Sequence, residues 1–99
     1  METDRPLTSA QRRKLIRRYA AGPDLLERAL EKVPEGARKW RPGPKKWSVH
    51  EVIIHFVDME IVGAARLRYL LAENQPLIIG CDQDRWAEFL DYHRQPLEP

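Results

Sequence analysis

Cysteine is almost missing from this chain: Cys81 stands alone among 99 residues. A single thiol cannot form an intramolecular disulfide, nor supply a multi-cysteine zinc site. Two readings of Cys81 remain, a small residue in a connecting loop or a reactive thiol, and the second requires a lowered pKa. Long apolar runs are missing as well. Asp58, Glu60, Arg66 and Arg68 interrupt the longest one, short of the ~20 apolar residues that a membrane span needs. Neither sign of charge prevails, since 17 Lys and Arg face 15 Asp and Glu. A formal net charge of +2 is too small to imply a nucleic-acid partner by itself. Met1–Pro6 carries Glu2 and Asp4 and no apolar core, so a secretory signal is not expected there. The expected compartment is the reducing cytoplasm.

What is present suits one small domain. Apolar residues make up 42% of the chain and charged ones 32%, enough for a core beneath a polar surface. The patterning is helical. Thr8 and Gln11 form a capping box that opens a helix, with Leu15, Ile16, Tyr19 and Ala20 spaced along one face. Gly22-Pro23 is expected to kink or restart that helix, and Leu25, Leu26, Ala29, Leu30 and Val33 continue the face to Pro34. Residues 34–47 hold Pro42, Gly43 and Pro44 and predict an ordered crossing loop, with Trp40 as its anchor. Leu77-Ile78-Ile79 is too short for a strand and reads as loop packed on the helices. Asp82 is the expected N-cap of a short helix over 83–92, with Trp86, Phe89 and Leu90 facing inward.

The most informative stretch is Lys46–Glu60. Ser48 and Glu51 form an S-x-x-E capping box, and Trp47 and Val52 stand where a hydrophobic staple would join. The helix they open is predicted over 48–73, ~38 Å at ~1.5 Å per residue. It is apolar around most of its circumference, from Val52, Ile53 and Phe56 on one side to Ile54, Ile61 and Tyr69 on another. Such a helix needs neighbours on more than one side. It also carries His55, Asp58 and Met59 at i, i+3 and i+4, which share a face. His50 lies about 500° of helical turn before His55 and points elsewhere.

Trp47-Ser48-Val49, His55, Asp58, Glu60, Arg66 and Arg68, together with Ala21-Gly22-Pro23-Asp24 upstream and Asp82-Gln83-Asp84-Arg85-Trp86 downstream, resemble the DinB/YfiT-like family of helical bundles. The resemblance covers nearly all of this chain and about the first half of the family's domain. It implies an all-α DinB-like helical bundle, incomplete within one chain at about three helices, and the apolar circumference of the central helix predicts completion by dimerisation. It also implies a relation to metal-dependent hydrolases and thiol transferases. In that family the histidine matching His55 is one of three metal ligands, the other two lying on a final helix that is not expected here. A divalent zinc or nickel ion is the implied cofactor, and three imidazoles would leave it open positions. Only His55 carries over, so independent catalysis is not expected and no catalytic residue is assigned.

Bland readings stand beside these. His55 is a metal ligand or a half-buried histidine bonded within the bundle. Asp58 orients the His55 ring or is a solvated helix residue. Glu60, in the middle of an apolar face, is expected to be a buried acid paired with an arginine or with loop donors. Arg12, Arg13, Lys14, Arg17 and Arg18 form a solvated face or track phosphates, which makes nucleic-acid binding the further alternative. The expected organisation is one domain, 1–99: an arm over 1–7, a kinked first helix over 8–33, the loop 34–47, the central helix 48–73, a loop 74–82, the short helix 83–92 and a tail 93–99. A homodimer or a partner helical chain is the expected assembly; the substrate is not legible.

Overall fold

A computed structural model describes residues 6–97 of the chain. They are all-helical, with no strand among the described residues, and divide into two compact units, Met1–Pro34 and Glu35–Pro99. The arm expected over residues 1–7 falls mostly outside the described part.

The first unit is one helix, α1, Ser9–Glu31. Its start is as the sequence predicts: Gln11 N–H donates to Thr8 Oγ1 at 3.1 Å, and Thr8 N–H donates to Gln11 Oε1 at 2.9 Å. Pro23 lies inside the helix and gives up one backbone rung. The helix nonetheless continues without a restart for two further turns. It ends where the Lys32 N–H turns back to the carbonyls of Ala29 and Leu30. None of its residues is buried.

The second unit opens with a 3-10 turn, Glu35–Ala37, and is built on α2, Val49–Ala72. A short α3, Gln83–Phe89, and a second 3-10 turn, Tyr92–Arg94, fold back on α2. Ser48 caps α2 through the capping box with Glu51, and Asp82 caps α3 by accepting the Arg85 N–H at 3.2 Å. The short helix ends at Phe89, earlier than its apolar pattern suggests. Asp91 takes a left-handed conformation, φ 50°, which redirects the chain so that Tyr92 enters the core. Aspartate is among the few side chains that tolerate this region.

The core is small. Ile54, Ala87 and Tyr92 are buried, and Trp47, Trp86 and Leu97 pack around them. Phe89 and Leu90, expected to face inward, are exposed, and Ala87 takes the inward position instead. Phe89 lies under the Arg85 guanidinium, 4.7 Å from the ring centre, a cation–π contact at the surface. Trp40 does not anchor its loop either, being 67% exposed. The loop is held by polar groups. The Arg38 carbonyl accepts the His50 N–H at 2.9 Å, and Arg41 reaches Glu51. Residues 74–82 form the expected loop, with Leu77 and Ile79 largely exposed.

Candidate functional site

Two neighbouring clusters form where the Tyr92 turn meets the first turns of α2. The first surrounds His55. Its imidazole stands edge-on to the Trp47 indole, ring centres 5.0 Å apart, and Trp47 in turn packs edge-on to Tyr92 at 6.2 Å. The Trp47 Nε1–H donates to Asp84 Oδ1 at 3.0 Å, so α3 fixes the indole that walls the imidazole. His55 Nδ1 is buried and has no hydrogen-bond partner. Tyr92, fully buried, donates its phenol hydrogen to Asp58 Oδ2 at 2.5 Å. Burial pushes the Tyr92 phenol well above its ordinary range, and the hydrogen bond and charge of Asp58, with Cys81 nearby, push it further. The phenol therefore stays protonated and serves Asp58 as a donor.

The second cluster centres on Glu51, which is 3% exposed. Its Oε1 accepts from the Ser48 N–H at 3.0 Å, the Ser48 hydroxyl at 3.2 Å and Arg41 Nε at 2.8 Å. Arg41 Nη2 donates to Oε2 at 2.9 Å, which completes a side-on guanidinium–carboxylate pair. His93 Nε2 approaches both Oε1, at 3.1 Å, and Ser48 Oγ, at 2.7 Å. Burial alone would raise the Glu51 carboxyl. The Arg41 bond, the Ser48 N–H and the charges of His93 and Arg41 outweigh it and hold the group down at about 2. His50 Nε2 meets the Gln95 carbonyl at 2.6 Å; a carbonyl only accepts, so this nitrogen carries the hydrogen. The His50 and His93 rings stand edge-on, 6.0 Å apart.

These positions sort the residues singled out from sequence. His55 and Asp58 are brought together on one face, half-buried, but Asp58 is engaged by Tyr92 rather than left to solvent. Glu60 is exposed, not a buried acid. The apolar stripe around it is itself open, with Phe56 49% and Leu67 61% exposed, so a carboxylate there keeps its water. Cys81 is a free, half-buried thiol in the loop before α3. His50 clasps the terminal turn through the Gln95 carbonyl, and His93, within that turn, meets Ser48. Sequence reasoning saw Glu51 only as a cap and missed the ion pair with Arg41. The one available signal was a pair of basic and aromatic residues, Arg41 and Trp47, just ahead of an acidic N3 position.

Chemically, Ser48 is 1% exposed and its hydroxyl is committed to Glu51, so the Ser48–His93–Glu51 grouping cannot present a nucleophile. Among the described residues no group of three or more His, Cys, Asp or Glu side chains could hold a metal ion. His55 offers one imidazole, and Asp58 already accepts from Tyr92. This donor set does not fit a resident metal on its own.

The sequence pattern of the DinB superfamily matches residues 18–97. The chain belongs to the DinB superfamily. Among the curated proteins similar to it is a "Putative metal-dependent hydrolase" of Oceanobacillus iheyensis, 36% identical over 47 residues, 48% of this chain and 27% of that protein. Another of the same description, from Halalkalibacterium halodurans, is 30% identical over 46 residues, 46% of this chain and 27% of that protein. The matched stretch thus spans about a quarter of each relative's length. No solved structure matches the chain. As a DinB-superfamily chain it has the helical architecture that its apolar periodicity predicts. No helix among the described residues is long and apolar enough to cross a membrane.

Proposed function

We propose that this DinB-superfamily chain is a partner-dependent module: it contributes His55 to a metal centre of the kind named for its relatives, and other ligands come from a second copy or a partner helical chain. The observation that carries this reading is the state of His55 itself. A buried imidazole nitrogen without a partner is costly in a finished core, yet Trp47, clamped by Asp84, holds this ring in one place. An imidazole fixed in orientation is what a ligand position requires. The described residues offer no second and third ligand beside it. Family membership and the names of the relatives supply the metal; the residues supply only its first contact. The substrate class follows no further than hydrolysis or group transfer.

Native mass spectrometry of the untagged chain, with and without added zinc or nickel, tests the proposal. The expected result is a dimer, or a complex with a co-purified helical protein, that retains metal and loses it in His55→Ala. A dimer that never holds metal would sink the metal centre and leave an association module. The second open half of α2 favours that alternative, because Ile61, Leu67 and Leu70 are each more than half exposed. The nucleic-acid alternative rests on the exposed basic residues of α1 and gains no second observation.

A further inference from the structure

Far along α2 from His55, the chain turns back at Gln75, left-handed at φ 53°, and residues 76–79 run alongside the helix. Between the two lies a groove of about 640 Å³, walled by Ile61, Val62 and Tyr69 on α2 and by Leu77 and Ile79 on the returning segment. Its volume lies within the range of small-molecule sites. One cation lines it. Arg66 donates from Nη2 to the Ile79 carbonyl at 2.8 Å, which ties the returning segment to the helix. Its Nε is buried and has no hydrogen-bond partner. One acid lines the groove too, Glu73, two helical turns beyond Arg66 on the same face.

We propose that this groove binds a small apolar monocarboxylate, its carboxylate on the Arg66 guanidinium and its hydrocarbon chain against Ile61, Val62 and Tyr69. The argument is one of charge and shape. Arg66 places a full positive charge on a groove whose walls are otherwise mostly apolar, and the outer edge of its planar guanidinium matches a planar carboxylate. Apolar walls on both sides take a hydrocarbon chain and add affinity by its burial. Glu73 sets the limit: a dicarboxylate reaching along the groove would bring its second charge towards that acid, while a monocarboxylate seated at Arg66 keeps clear of it. The site is independent of the His55 reading, since it shares no residue with that cluster.

Octanoate is the probe, titrated into the full, isotopically labelled chain while amide signals are followed by NMR. Saturable shifts confined to Leu77, Ile78, Ile79 and α2 residues 61–69 are expected, at least tenfold tighter than for octanol. Arg66→Gln should weaken octanoate at least tenfold, and Arg66→Lys should restore part of the loss. Tyr69 is 55% exposed, so Tyr69→Glu should leave the fold intact. It places a competing carboxylate one turn from Arg66 and should weaken binding to a similar degree. Equal affinity for octanol and octanoate, or full affinity in Tyr69→Glu, would overturn the proposal, as would shifts that map elsewhere.

Discussion

The two ends of α2 are built on opposite rules. Its first turns hold Ser48, His50 and Glu51, all buried and all polar, with Ile54 just beyond. Its last turns hold Leu67, Tyr69, Leu70 and Leu71, apolar and more than half exposed. The ordinary arrangement is the reverse, apolar inside and polar outside. One lesson is that the order of this unit comes from a saturated polar knot more than from oil. Each buried group there has partners: Glu51 with Arg41, Ser48 and His93, and His50 with Gln95. A fully satisfied network rigidifies and specifies geometry. The other lesson is that the far half of α2 leaves its apolar side chains open among the described residues.

If the knot is what holds the unit, Glu51→Ala should have the largest effect, about 3 kcal/mol of stability by urea unfolding, because it strips acceptors from buried donors. Acid should reproduce that loss in the unaltered protein. Folding lowers the Glu51 carboxyl from 4.5 to about 2. Its contribution, on the order of 3 kcal/mol, is therefore present above pH 4.5 and disappears as pH falls from there towards 2. In Glu51→Ala that part of the acid dependence should vanish. An unchanged acid profile in the variant would mean that other carboxylates hold the unit.

A smaller effect is expected about two turns further on, at Asp58. Tyr92→Phe keeps the buried ring and removes only the donor to Asp58, so it should cost about 1–2 kcal/mol. Trp47 fluorescence gives a local readout, since the indole packs on both Tyr92 and His55. If stability fell with no change in that signal, the Tyr92–Asp58 bond would be structural and would not shape the His55 pocket. At the open end, Leu71 is 87% exposed. Leu71→Lys should change stability by less than about 0.5 kcal/mol, and a large loss there would show that the surface is covered in solution.

The same contrast explains which features could be read in the sequence. Both capping boxes and the Asp82 cap were legible, because a cap is a local agreement between residues three apart. The extent of α2 was legible too, its end falling at Ala72 against an expected 73. Periodicity identified the apolar stripe holding Phe56 and Leu67 but could not say whether anything lies on it, and from that gap came the buried reading of Glu60. The knot was not legible at all. His93 meets Ser48, and Gln95 meets His50, across 45 positions of chain, and no local pattern announces such a pair. His55 was found through family likeness, its unpaired Nδ1 only through the structure.

Those 45-residue spans also set an order of events. The helical turns of α2 need only their neighbours and can form within a microsecond or so. The fastening of its first turn to the Tyr92–Gln95 segment must wait until the intervening chain has closed into a loop. During synthesis this means that α2, with His55 already on its surface, emerges and remains unclasped until Gln95 has followed it. In that interval the imidazole, its Trp47 wall not yet braced by Asp84, is open to solvent.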